Sequence, residues 1–457
     1  MPDWVEHVMW WHVYPLGFVG APHDGLPAGS EPVHRLGHLE AWLDHVVGLG
    51  LSGLMLGPVF ASQTHGYDTV DHLRVDPRLG DEDDLRALVG AAHARGVRIV
   101  LDGVFNHVGR GFGAFQQVLA DGPGGPTEDW FRLTWPPGAG PGTEPDYVDF
   151  EGHHALVALD HSSPAVVDHV VTVMNHWLDL GVDGWRLDAA YAVPPEFWAA
   201  VLPRVRAAHP DAYIFGEVLH GDYVAAVVDA GFDAVTQYEL WKAIWSSIDD
   251  RNFFELAWAL ERHNDFLAAF VPLTFIGNHD VTRIASRLTD RRDLSHAVVL
   301  LMTLGGTPTV YAGDEHGMQG VKEERAGGDD AVRPTFPPSP TELAPGGWDL
   351  HHLYQELIAL RRRHPWLHRA TTTVLTCTNG TLVYRVAVDG HGDGPGDGPA
   401  LLVALNLQDD GVRLGVPGAT SVLAGRGAQA DTGVHLHDAG PSAQVEIPPH
   451  GWAVLRP

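Results

Sequence analysis

The sequence predicts an α/β fold: a (β/α)8 barrel, interrupted after its third strand by an inserted subdomain and followed by a C-terminal antiparallel β-sandwich. Three observations carry that prediction. Short, almost wholly apolar runs alternate with helix-length segments, and eight of each can be counted before residue 367. Strands apolar on both faces belong to a parallel sheet covered by helices. The alternation stops over the Gly- and Pro-rich stretch 108–163 and then resumes; a structureless loop of that length is unusual inside a compact domain. After residue 368 the chain turns to short β-branched runs separated by turn formers, the pattern of antiparallel strands. The expected division is a barrel of residues 1–107 and 164–367, an insert of 108–163 and a sandwich of 368–457.

Taken in order, strand one is read at 8–14 and a helix at 34–49, where Leu36, Leu39, Trp42, Leu43, Val46 and Val47 recur at helical spacing. Strand two, 51–56, stops at Gly57-Pro58, and 59–80 is read as a loop. The helix 81–95 opens with an acidic turn, which favours the positive end of its dipole, and Gly96 leads into strand three, ending at Asp102. Beyond the insert come a helix at 164–180, strand four ending near Asp188, a helix at 195–208 and strand five at 213–216. A helix at 222–230, strand six at 232–235, a helix at 252–270 and strand seven at 273–277 follow. The helix 294–304, strand eight at 309–311 and a last helix at 350–363 complete the barrel. In the C-terminal domain the runs 371–388, 400–407, 412–416, 420–425 and 443–447 read as strands, with turns at Asn379-Gly380 and 390–399. That domain offers no catalytic cluster; packing on the barrel is its expected role, with sugar binding the alternative.

Composition narrows the function. The chain has 457 residues and a formal net charge of −29, from 58 acidic and 29 basic side chains. Nucleic acid and anionic membrane surfaces would both be repelled, whereas a neutral substrate would not. The single cysteine, Cys377, rules out an intrachain disulfide and a thiolate metal cluster. The first residues carry Asp3 and Glu6 and lack the basic, then apolar, pattern of a secretory signal. The expectation is a cytoplasmic protein, with a mature secreted form as the alternative.

Three strand ends offer acids: Asp188 after GVDGWRL, Glu217 after YIFG and Asp280 after LTFIGNH. In a β/α barrel these ends share one face, where the chemistry of such folds sits. Breaking a glycosidic bond needs a proton donor and a carboxylate at the anomeric carbon. Strand alternation turns Arg186 toward the same side as Asp188, where it could hold that carboxylate ionised. Taken singly, each acid reads more readily as a helix cap or salt-bridge partner, and His107 and His279 as buried core histidines or, with Asn106 and Asp280, as metal ligands. They lack the i, i+4 spacing of a zinc helix.

Seen together, these stretches resemble the α-amylase family of glycoside hydrolases. DGVFNH (102–107), GWRLDAA (184–190), GEV (216–218) and FIGNHD (275–280) stand in that family's order at strands three, four, five and seven. HGYDTVDHLRVDPRLG (65–80), VALDHSSPAV (157–166) and VYAGDEHGM (310–318) also match. The resemblance implies Asp188 as nucleophile, Glu217 as acid/base and Asp280 as transition-state stabiliser. It implies further that Tyr67 stacks on the sugar at subsite −1, that Arg186, His107 and His279 bind that sugar, and that Asp68 completes the pocket floor. The likeness is greatest to the neopullulanase and cyclomaltodextrinase branch, whose usual N-terminal β-domain has no counterpart before strand one, so dimerisation by that route is not expected; monomer and homodimer both stay open. Leu219 stands where that branch commonly has tryptophan, and Tyr191-Ala192 where many α-amylases have Lys-His. Both departures imply a short, cyclic or branched maltooligosaccharide as substrate. Transfer or isomerisation by the same carboxylates, on trehalose or sucrose for example, is the rival; a barrel that only binds sugar is the distant one. Phe112, Phe115, Trp130 and Trp135 would offer stacking faces or form the insert's own core. No obligatory cofactor is expected, although Asn106 and Asp160 resemble calcium-site positions.

Overall fold

The computed structural model describes residues 1–27, 29–325, 327–388, 398–427 and 433–457. Eight parallel strands form one sheet: β1 Trp10–Val13, β2 Gly53–Leu56, β3 Arg98–Gly103, β4 Gly184–Leu187, β5 Tyr213–Gly216, β6 Ala234–Val235, β7 Leu273–Phe275 and β8 Thr307–Tyr311. Neighbours in the sheet are consecutive, and β1 pairs with both β2 and β8. A parallel bridge from Thr236 to Leu273, with Gln237 N–H on the Leu273 carbonyl at 2.9 Å, joins β6 to β7 and closes the ring. The chain is a (β/α)8 barrel with an antiparallel β-domain after it.

Local chemistry explains the helices that face this ring. The helix Glu82–His93 begins with a capping box in which Asp81 and Asp84 each accept the other's backbone N–H. The helix Pro164–Leu180 has proline at its start and ends at Gly181 in the left-handed region, φ 119°. Gly184 opens β4 because nothing larger fits: a Cβ there would lie 2.0 Å from the Tyr213 carbonyl oxygen of β5.

Three elements differ from the sequence expectation. The helix expected over 34–49 is two, Leu36–Glu40 and Leu43–Leu49. The break falls at Trp42, which is fully buried with its indole N–H on the Pro337 carbonyl. The 59–80 loop contains an antiparallel pair, Phe60–Ser62 with Thr69–Val75. A helix absent from the expected order, Tyr238–Asp249, follows β6.

In the stretch after β3, strands His107–Gly109, Asp149–Phe150 and His153–Ala158 make a small antiparallel sheet, with a helix at Gly113–Asp121. After residue 370, a five-stranded sheet and a three-stranded sheet pack face to face around Val383, Leu402, Leu414, Val445 and Leu455. Strand alternation gives the five-stranded sheet a second apolar face: Leu382, Tyr384, Val386, Leu401 and Val403 join the barrel's own core. Asn264 and Thr372 exchange two hydrogen bonds of 2.8 Å across this junction. Most of the turn expected at 390–399 lies outside the described residues.

Candidate active site

The carboxyl ends of the barrel strands open into a cavity of about 870 Å³, whose walls include Tyr67, His107, Phe150, Asp188, Tyr191, Glu217, Leu219, Asp280 and Arg333. Each acid is delivered by the same device, a short buried strand that ends at the rim. Asp188 directly follows β4 and Glu217 directly follows β5, and their backbones are in register because β4 and β5 pair from Gly184↔Tyr213 to Leu187↔Gly216. The next residue, Ala189, sits in the left-handed region at φ 45°, a conformation costly for a residue with a side chain. That turn aims its N–H at Glu217 Oε2, 3.1 Å away.

One guanidinium ties the floor together. Arg186 Nη1 donates to Asp102 Oδ1 at 2.7 Å and to Asp188 Oδ1 at 3.2 Å, and Nη2 reaches Glu217 Oε1 at 2.6 Å. Arg186 favours the ionised form of Asp188, against the pull of its other surroundings. Burial pushes the Asp188 carboxyl well above the usual carboxylate range; Arg186 opposes this, and Glu217, Asp102 and Asp280 reinforce it. The cation is shared among Asp102, Asp188 and Glu217 and does not fully offset burial at Asp188.

Asp280 is held differently. Burial alone would raise its carboxyl, but His279, Arg333 and Arg186 together hold it well below the usual range. Its Oδ2 is 2.9 Å from His279 Nε2 and its Oδ1 is 2.7 Å from Arg333 Nη2. Arg333 also donates to the His279 carbonyl at 3.0 Å and lies over the Tyr14 ring at 4.6 Å. A second link runs sideways: Tyr238 donates to Glu217 Oε1 at 3.0 Å, Asn278 Nδ2 donates to Tyr238 at 2.9 Å, and Asn278 Oδ1 accepts the Asp280 N–H at 2.8 Å.

Tyr67 lines the cavity and its hydroxyl reaches Asp102 at 3.2 Å and meets His279 Nε2. His107 lines it too, stacked on Phe150 at 4.6 Å with its Nε2 on the Tyr67 carbonyl, and burial lowers its imidazole to about 4, so it is neutral near pH 7. Leu219 and Tyr191 are on the wall, and Tyr191 donates to Glu151 of the insert at 2.8 Å. Three expected contacts are placed elsewhere. Asp68 turns under the loop, accepting from Thr64 N–H and hydroxyl at 3.0 and 2.6 Å, and is not on the wall. Arg186 and His279 lie beneath the wall, where they touch the carboxyls that face the cavity.

The four insert aromatics are off the wall as well. Phe112 and Phe115 are buried, and Trp130 and Trp135 pack against the main core, so they serve the insert's own packing. Phe150, two residues before the glycine of a tight turn, provides the apolar ring on the wall instead. Asp102, Tyr238, Asn278 and Arg333 were not singled out by sequence reasoning. Asp102 carried a signal, since it pairs in register with Arg186 across β3 and β4. Arg333 carried none; it sits in a long Gly- and Pro-rich loop far from any strand end. As for calcium, Asn106 Nδ2 faces His107 Nδ1 at 3.1 Å and Asp160 Oδ1 is taken by the Ser162 N–H and hydroxyl.

A family model described as the α-amylase catalytic domain matches residues 34–336. The chain is 30% identical over 482 aligned residues to a cyclomaltodextrinase of Geobacillus thermopakistaniensis, covering 99% of this chain and 77% of that one. It is 32% identical over 384 residues to neopullulanase 2 of Thermoactinomyces vulgaris, covering 79% and 64%. Among solved structures, the cyclic α-maltosyl-(1→6)-maltose hydrolase of Arthrobacter globiformis superposes with a TM-score of 0.78 at 26% identity over 99% of both chains. A debranching enzyme of Nostoc punctiforme gives 0.82 at 25% identity, over 100% of this chain and 99% of that one. With its closed eightfold barrel and its acids gathered at one mouth, this chain belongs to the α-amylase family of glycoside hydrolases.

Proposed function

We propose that the protein is a retaining α-glucan hydrolase that cleaves α-1,4-glucosidic bonds in short, cyclic or branched maltooligosaccharides. The observation that carries this reading is the bridging of Asp188 and Glu217 by one guanidinium, with Asp280 facing the same cavity. Retaining enzymes hold their two carboxyls about 5–5.5 Å apart, so that both reach one anomeric centre. Glu217, as the acid, gives its proton to the glycosidic oxygen as the C–O bond breaks. Asp188 attacks the anomeric carbon from the opposite face and forms a β-glycosyl ester. Water, deprotonated by Glu217, then attacks that carbon and releases the sugar with its α configuration, returning Asp188 as carboxylate and Glu217 as acid. Asp280, ionised well below the usual range, would bind sugar hydroxyls through the transition state.

The substrate class rests on the named relatives and on Leu219 and Tyr191, which put a short aliphatic and a phenol on the wall. Neither builds an open platform for a long starch chain. No helix among the described residues is long and apolar enough to cross a membrane. A relative is named intracellular maltogenic amylase, from Bacillus subtilis, and a cytoplasmic location is part of this proposal, as is catalysis without an obligatory metal.

The test is a panel of linear, branched and cyclic maltooligosaccharides with products identified over time and their anomeric form read by NMR. Initial α-products from small rings and short chains are expected. Products longer than the substrate would replace hydrolysis with transfer. Glu217→Gln should lower kcat about 10²–10⁴-fold on natural substrates, and much less on glucosides whose leaving group needs no proton. Full activity in Asp188→Asn would sink the assignment.

A further inference from the structure

Behind β8 three histidines meet, none of them on the cavity wall. His45 lies on the helix Leu43–Leu49, His316 ends the short turn Asp314–His316, and His351 is in the first turn of the helix Trp348–Arg363. Their ring centroids are 5.7 Å (His45–His316), 5.2 Å (His45–His351) and 5.0 Å (His316–His351) apart. One ligand nitrogen from each lies within 4.8 Å of the others. We propose that His45, His316 and His351 form a binding site for a borderline divalent transition ion of the zinc class, independent of the glycosidase chemistry.

Three features point to a ligand rather than to ordinary core packing. Both ring nitrogens of His316 and Nδ1 of His351 are buried without a hydrogen-bond partner among the described residues, and His351 is only 6% exposed. Unpaired buried imidazole nitrogens are costly, and a metal takes the lone pair of one nitrogen in each ring. Glu315, fully buried, accepts from His45 Nε2 at 3.0 Å while its other oxygen takes the Gly313 N–H at 2.8 Å. A carboxylate fixed behind an imidazole is the usual support for a metal-bound histidine, and its charge offsets the entry of a dication into a buried place. Lastly, the approach needed is small. Zn–N bonds of 2.0–2.1 Å in a tetrahedral site put ligand nitrogens about 3.4 Å apart, so nitrogens now within 4.8 Å of one another must converge by up to about 1.4 Å.

The three histidines come from the first helical layer, from the exit of β8 and from the last barrel helix. An ion there would clasp both roots of the 313–347 stretch, the stretch that carries Arg333 to Asp280. Binding would therefore be read as stability, and turnover would not require it.

The experiment uses the full chain without a polyhistidine tag, stripped with chelator and titrated with Zn²⁺ by calorimetry and with Co²⁺ by visible absorption. One equivalent per chain is expected, with tetrahedral Co²⁺ bands and a rise in Tm that saturates at that equivalent. His351→Leu and His316→Ala should each weaken binding at least about 100-fold, and Glu315→Gln about 10–100-fold, with circular dichroism showing which variants are folded. His34→Ala, at the exposed contact of His34 with Asp84, should change nothing. Absence of stoichiometric binding by the wild type, or undiminished binding in a folded His351→Leu or His316→Ala, overturns the proposal. None of these readings depends on the sugar chemistry.

Discussion

Arg333→Met tests how the cavity prepares Asp280. The guanidinium is almost entirely buried, 2.7 Å from Asp280 Oδ1, and makes a second hydrogen bond to the His279 carbonyl. At that distance and an effective dielectric of about 20, the bare attraction is roughly 6 kcal/mol. Most of it is returned when water replaces the cation, because the Asp280 side chain is 30% exposed. What remains is the loss of a charge-assisted hydrogen bond, about 1.5–3 kcal/mol. If Asp280 must be ionised and oriented in the transition state, kcat/KM on a short maltooligosaccharide should fall about 10–150-fold. A second effect follows from the charges. Arg333 is among the groups that lower the Asp280 carboxyl, so its removal raises that carboxyl, and the acid limb of kcat/KM against pH moves to higher pH. Arg333→Lys keeps the charge but not the two-pronged geometry and should fall between. The assay is initial-rate kinetics from pH 4 to 8, with Tm as the control for folding. A variant within about threefold of wild type, with its acid limb unmoved, would refute the reasoning.

Tyr238→Phe removes the hydroxyl between Glu217 and Asn278; the loss of that link should lower kcat about 10–100-fold at little cost in KM, a total of about 1.4–2.7 kcal/mol, and an unchanged kcat would show the link to be idle. Gly184→Ala places a methyl 2.0 Å from the Tyr213 carbonyl, so β4 and β5 must separate; a loss of at least about 1–3 kcal/mol in urea unfolding is expected, and an unshifted midpoint contradicts the pairing of Gly184 with Tyr213. His263 is buried between Gln237 and the Gly305 carbonyl, and burial lowers its imidazole to about 4. Its folded value is depressed below the unfolded one, so the stability it contributes is present above about pH 6.5 and is lost as pH falls toward 4. Between pH 7 and pH 5, wild type should lose about 2 kcal/mol more unfolding free energy than His263→Gln; equal losses would rule this out.

The barrel was legible because its physics is local and repeated. Each strand had to be apolar on both faces, and each following segment amphipathic with a cap or a glycine stop, so pattern alone predicted the alternation. Where tertiary contacts overrode pattern, reading failed. Trp42 divides a helix whose spacing looked continuous, because its indole is anchored to a carbonyl almost 300 residues away in sequence. The helix Tyr238–Asp249 has its own apolar spacing, in Leu240, Ile244 and Ile248; it is hard to read because it follows a two-residue strand.

For the cavity, the sequence by itself determined which acids stand beyond strand ends: Asp188, Glu217 and Asp280 reach the wall because the barrel brings its strand ends to one face, and Tyr67 reaches it from the loop after β2. Only the folded chain decided how their charge is shared. Arg186 serves three carboxyls, Arg333 arrives from a loop with no pattern, Asp68 turns away and Phe150 takes the place expected of other aromatics. The reason is one of range. Propensity and periodicity act over a few residues, whereas the field at a carboxyl is set by every charge within several ångströms, whatever its distance along the chain.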